Sequence, residues 1–258
     1  MKRGVLGPPE TRAAGSKLEV SPPPRPAPRA SRRATAERRL MRRVFDRCHA
    51  LLEEACARSS VPVEFLAALT ANESGGNPRA ARFEPAVYRH LAAVASGASP
   101  AYAGLQAGDL SAELAAMLHP KSDAYHARYL IAPFGANHQR DLAALEDAAL
   151  RDLATSWGYT QIMGYHMVAR AGTVRDLLEA PFHFRLALEL LAQFAEEYQL
   201  SLGHEFAEMF RCWNTGQPYG KTFDPRYVEH GLCRMEVYRD LVTALQPAAA
   251  ASQTQGAA

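Results

Sequence analysis

An all-α fold is predicted by three observations. Apolar residues recur at helical spacing in one segment after another, and glycines and prolines fall between those segments. No stretch alternates polar and apolar residues for long enough to argue for a sizeable sheet. Of the 258 residues, 48% are hydrophobic, enough for a single sizeable core.

The elements follow in chain order. Residues 1–35 hold Ser21-Pro22-Pro23-Pro24-Arg25-Pro26-Ala27-Pro28-Arg29, which cannot bury enough apolar surface to fold, and are expected to form a disordered basic arm. Leu40, Met41, Val44, Phe45, Cys48, Leu51, Leu52, Ala55 and Cys56 then mark an amphipathic helix with arginines on its outer face. Val61 to Ala71 reads as a short helix, with Pro62 at its start, Glu64 in its first turn, and Phe65, Leu66 and Leu69 as its stripe. Residues 79–135 are less regular, with helical pieces near 85–95 and 111–118. Further helices are expected over 139–155, 181–198, 201–213 and 224–245, carrying Leu145, Leu188, Phe206 and Val228 among their apolar positions. These make one domain over residues 36–245, and the Ala/Gln/Gly/Ser-rich residues 246–258 are expected to form a disordered tail.

Charge is unevenly placed. Residues 1–47 carry thirteen Lys/Arg against four acids, a net of +9; since the whole chain carries +2, the rest carries −7. The chain is therefore a mildly acidic domain with a basic arm, and residues 1–35 contain no aromatic side chain for base stacking, so nucleic acid is not an expected partner. No secretory signal is visible at the start, and no apolar run reaches membrane-spanning length. Cys48 and Cys56 lie on one helix, too far apart to bond; Cys212 and Cys233 could meet if their helices pack, but reduced, buried thiols are expected.

Glu73 is the first candidate for chemistry. It ends an apolar helix in Asn72-Glu73-Ser74-Gly75-Gly76-Asn77-Pro78, above Leu69 and Leu66 on the inward face. Apolar surroundings and the negative end of a helix dipole both disfavour its charged form, raising its pKa as a general acid requires. Against this stands a solvated glutamate at a fraying helix end. A second candidate segment is Ser156-Trp157-Gly158-Tyr159-Thr160-Gln161-Ile162-Met163-Gly164-Tyr165. If it opens a helix after Ser156, Gly158, Gln161 and Tyr165 share a face whose amide and phenol suit the hydroxyls and acetamides of a sugar; the bland alternative is a buried glutamine satisfied by backbone. The third is Trp213-Asn214-Thr215-Gly216 at a helix end, followed by Tyr227 at the start of the last helix. Asn214 could equally be a helix cap, and Tyr227 a half-buried phenol.

The order of these segments is more telling than any one of them. Helix-Glu73-Ser74-Gly75, then Gly158-x-x-Gln161-Ile162-Met163, then Asn214-x-Gly216, then Tyr227-Val228 resembles the lysozyme-like soluble lytic transglycosylases. Arg82-Phe83-Glu84-Pro85 soon after the glutamate, the long insert, and Ala154-Thr155-Ser156-Trp157-Gly158 before Gln161 are similar to the phage-type N-acetylmuramidases. The resemblance spans about residues 60–242. It implies a lysozyme-like helical domain, with Glu73 as catalytic acid, Ser74 beside the reacting centre, Gly158, Gln161 and Met163 lining a sugar groove, and Asn214 and Tyr227 near the glutamate. Three departures stand out: Tyr159-Thr160 where the transglycosylases have a small apolar pair, Trp213 where they have Tyr or Phe, and Ala86 where the muramidases have histidine.

The implied activity is cleavage of the β-1,4 bond between N-acetylmuramic acid and N-acetylglucosamine in peptidoglycan strands, by a monomer without a cofactor. Two outcomes compete. Glu73 alone can act as acid and then base while the sugar's own 6-hydroxyl closes an anhydro ring, or a second carboxylate can activate water. Glu84 is the nearest second carboxylate, with a salt bridge to Arg82 or Arg89 as the competing reading; Asp123 is a weaker choice. No metal is expected, since Pro120 interrupts any helix that would align His119 with His126. The alternative function is a peptidoglycan-binding module without turnover. The substrate implies the periplasm or cell wall, although no export signal accounts for it.

Overall fold

The computed structural model describes residues 29–118 and 138–253; His119, Asp123 and His126 lie outside the described residues. Eight α-helices and five short strands are formed there. α1 (Arg29–Cys56) buries Met41, Val44, Phe45, Cys48 and Leu52 and turns Arg38, Arg39, Arg42, Arg43 and Arg47 outward. α2 (Val63–Glu73) follows an extended Pro62 and is buried from Phe65 to Ala71 without a break. A helix apolar on all sides has to lie inside, and α2 is packed between α1 and the last helix, α8 (Tyr227–Gln253). This central position carries Glu73 into the protein.

The remaining helices are α3 (Pro85–Ala95), α4 (Ala107–Leu118), α5 (His138–Leu153), α6 (Ala180–Tyr198) and α7 (Phe206–Thr215). Between α3 and α4, β2 (Ala101–Tyr102) and β3 (Leu105–Gln106) form a hairpin whose turn residues Ala103 and Gly104 both have positive φ, the conformation two-residue hairpins favour. β1 (Ala81–Phe83), β4 (Thr155–Trp157) and β5 (Ile162–Met163) make an antiparallel sheet in the order β1-β4-β5. Arg82 stands opposite Ser156, and Ser156 opposite Met163. Two 3₁₀ turns, Gly164–Met167 and Val174–Leu178, lead from this sheet to α6.

The helices match the periodic segments, with corrections at the ends. α1 begins at Arg29, inside the stretch read as an unfolded arm, and α8 reaches Gln253, inside the stretch read as a tail. Arginine and alanine are strong helix formers, and both extensions prolong a helix whose core turns are already docked. α7 starts at Phe206 rather than Ser201, because residues 201–205 form turns in which Glu205 accepts the Ser201 N–H at 2.7 Å. α8 starts three residues after Asp224, whose carboxylate accepts the Arg226 N–H at 2.9 Å. All four cysteines are free; Cys48 and Cys212 are buried as expected, but Cys56 is only half-buried and Cys233 is exposed on the outer face of α8. No helix among the described residues is long and apolar enough to cross a membrane.

Candidate active site

Glu73 is the last residue of α2. Ser74 caps the helix, and Gly75 (φ 63°) and Gly76 (φ 81°) turn the chain away, so the side chain sits at the carbonyl end of the helix. Loss of solvation pushes its carboxyl from an ordinary 4.5 up to about 7; the Tyr227 hydroxyl and the Arg82 charge act in the opposite direction and do not cancel it. The Tyr227 hydroxyl donates to Glu73 Oε1. Burial, and then the Glu73 charge, push that phenol well above its usual 10, so it remains a donor whenever Glu73 is ionised.

Tyr227 is held from several sides. Its ring stands edge-on to Phe210 of α7, at 6.2 Å between centroids. Gly231, one turn further along α8, allows this approach: a Cβ there would lie 2.5 Å from the Phe210 ring. The Asn72 amide donates to the Tyr227 carbonyl at 3.1 Å, and Arg234 donates to the Asn72 oxygen at 2.6 Å. Arg234 also pairs with Glu37 of α1, at 2.7 Å from Nε and 3.3 Å from Nη2.

The segment from Ser156 to Met163 is a β-hairpin, which corrects the helical reading. Gly158 has φ 72°, and a Cβ there would come within 2.3 Å of the Leu177 carbonyl oxygen and 2.7 Å of His183 Nδ1. A helix through this point is excluded by the close packing against the second 3₁₀ turn. Gln161 also has positive φ, 56°, and its amide is fully engaged: Nε2 donates to Gly158 O at 3.0 Å and Ala80 O at 3.2 Å, and Oε1 accepts from Ser156 Oγ at 2.9 Å. Met163 is half-buried on β5.

The tip of this hairpin is gripped by three side chains. Ser74 Oγ donates to the Tyr159 carbonyl at 2.6 Å, and Trp213 Nε1 donates to the Thr160 carbonyl at 2.9 Å. His183, fully buried on α6, accepts the Thr160 N–H on Nε2 at 2.9 Å. Because that N–H can only donate, Nδ1 carries the proton and donates to Leu177 O at 2.7 Å. Burial lowers this imidazole from 6.5 to about 4, so it is neutral at physiological pH.

Of the residues picked out from sequence, Glu73 and Tyr227 touch directly, and Ser74 joins them to the hairpin that holds Gly158, Gln161 and Met163. Glu84 caps the start of α3, and its carboxylate accepts from Arg82 Nε at 2.6 Å. Asn214 is exposed on the last turn of α7. Asn72, Arg234, Glu37 and His183 went unnoticed. Asn72 adjoins Glu73, and His183 interrupts an apolar run, both visible signals; the Glu37–Arg234 pair is 197 positions apart and left none. A separate cavity of about 440 Å³ lies between α1 and α6, lined by Leu51, Ala55, Pro181 and Leu188 among others, and shares no lining residue with this constellation. No group of three or more His, Cys, Asp or Glu among the described residues is placed to hold a metal ion. No family model, curated protein or solved structure matches the chain.

Proposed function

We propose that this protein is a lysozyme-like glycosidase that cleaves the β-1,4 bond between N-acetylmuramic acid and N-acetylglucosamine in peptidoglycan, with Glu73 as general acid. The observation that carries the reading is a desolvated glutamate at a helix end, poised to titrate at about 7 and held by a phenol that stays protonated. Protonated Glu73 gives its proton to the glycosidic oxygen as the sugar becomes oxocarbenium-like. The carboxylate left behind is stabilised by the Tyr227 hydroxyl and the Arg82 charge. It then accepts the proton of the sugar's own 6-hydroxyl as the anhydro ring closes. Glu84 pairs with the exposed Arg82, and this one-carboxylate route needs no role for it.

Zymography on cell-wall gels, with mass spectrometry of the soluble products, tests the reading. Wild type clears the gel and leaves anhydro-muramyl ends, and Glu73→Gln loses at least about a hundredfold of the rate, the scale of a general acid. A wild type that binds sacculi but clears nothing overturns the catalytic reading in favour of a binding module. Reducing ends instead of anhydro ends overturn the one-carboxylate route alone.

A further inference from the structure

We infer that Asn72, Arg234 and Glu37 form a half-buried positioning chain that sets the proton affinity of Glu73 by holding Tyr227 in register with it. The inference rests on the reading of Glu73 as general acid. Tyr227 is the first residue of α8, and its N–H donates to the Asp224 carbonyl at 3.0 Å. Its carbonyl also accepts from the Asn72 amide, on the residue beside Glu73 on α2, at 3.1 Å. One residue of α8 thus receives its anchor from the same helical turn that carries the acid, so phenol and carboxyl are indexed to one another.

Asn72 alone would be a loose index, because an amide on a half-buried side chain can rotate. Arg234 removes that freedom by donating from Nη1 to the Asn72 oxygen, which leaves the amide nitrogen facing Tyr227. Arg234 is fixed in turn by a two-pronged pairing with Glu37, and both side chains are largely shielded, at 11% and 15% exposure. The chain runs from α1 through α8 to α2 and back to α8. It gives α1, which lies outside the stretch bearing the lytic-enzyme resemblance, a part in the site. Loss of any link lets the Tyr227 phenol drift, and the ionised form of Glu73 loses a donor.

A double-mutant cycle tests this, read by the kcat and KM of glycan cleavage and by carboxyl ¹³C NMR titration of Glu73. Asn72→Ala and Arg234→Met are each expected to lower kcat about tenfold with KM within twofold, and to raise the Glu73 pKa as far as Tyr227→Phe does. In the Tyr227→Phe background neither should change kcat or pKa further. Additive losses of kcat, or a Glu73 pKa that stays put, overturn the inference and leave these residues a packing role. Arg234→Met strands Glu37 and can unfold the protein; Asn72→Ala keeps the Glu37–Arg234 pair and decides the matter alone. Should wild type fail to cleave glycan, the proposed function falls, while the NMR titration still judges the positioning chain.

Discussion

On the α8 side of Glu73, polar groups converge on one carboxyl; on the hairpin side, similar groups are spent on backbone. Tyr227 aims its hydroxyl at Glu73, with Asn72, Arg234 and Glu37 behind it. Across the site, Ser74, Gln161, Trp213 and His183 bind the carbonyls and N–H groups of a tip only a few residues long. The first arrangement tunes a proton, and the second fixes a shape. A motif residue that looks like a ligand-binding amide in sequence can therefore be a fastener, and Gln161 is one: each of its polar atoms already has a protein partner.

The largest expected effect is on the fastened side. Gly158→Ala would place a methyl 2.3 Å from a backbone carbonyl in a conformation that side chains rarely adopt, and should cost about 4 kcal/mol. A urea midpoint unchanged in Gly158→Ala would mean that the hairpin is not packed against the 3₁₀ turn as described.

The two sides should also carry opposite pH signatures. Glu73 holds its proton more tightly folded, at about 7, than at the ordinary 4.5, so its favourable contribution is fully present below 4.5 and lost as pH rises through about 7. The difference amounts to roughly 3 kcal/mol. His183 is depressed from 6.5 to about 4, so its contribution is present above 6.5 and lost as pH falls through about 4. Denaturant midpoints from pH 3 to 9 should therefore decline at both ends, and Glu73→Gln should abolish only the alkaline decline. A Glu73→Gln protein with the wild-type alkaline decline would remove the perturbed carboxyl from the argument. Under the proposed function, the cleavage rate should follow the same titration and fall as pH rises through about 7, because only protonated Glu73 can donate.

Gln161→Ala is a smaller test of the same contrast. Losing the bonds that close the hairpin should cost about 2 kcal/mol while KM for glycan stays within about twofold. A raised KM at unchanged stability would mean that the amide faces sugar, as the family resemblance implies, and would erase the distinction between the two sides.

The helices were legible because each buries a stripe of many residues, as in Met41, Val44, Phe45, Cys48 and Leu52, and a period repeated over several turns survives local exceptions. Glu73 was legible too, since a charge on the inward face of an apolar helix contradicts its surroundings. The sheet was not. β1 and β4 have three residues each and β5 has two, too few for alternation to register, and the positive φ of Gln161 belongs to the turn that closes the hairpin. Arg234 reads as one more polar position on a helix; only folding brings it to Glu37 and Asn72.

Glu84 is where the two sides meet, and its substitution should have the smallest effect. It lies just beyond β1, with its N–H on the Ala154 carbonyl and its carboxylate on Arg82, whose charge also lowers the proton affinity of Glu73. Arg82 is 73% exposed, so the pair is solvent-screened and worth at most about 1 kcal/mol. Glu84→Gln should keep the rate within about threefold and leave anhydro ends as the product. The small change has a definite sign: freed of its partner's negative charge, Arg82 acts more strongly on the Glu73 carboxylate, so the alkaline limb of the rate profile should move slightly down in pH. A loss of a hundredfold or more would instead make Glu84 a second catalytic carboxylate. The fastened side would then contribute to the chemistry directly, and the division between a tuned acid and a rigid wall would give way to a pair of working carboxyls.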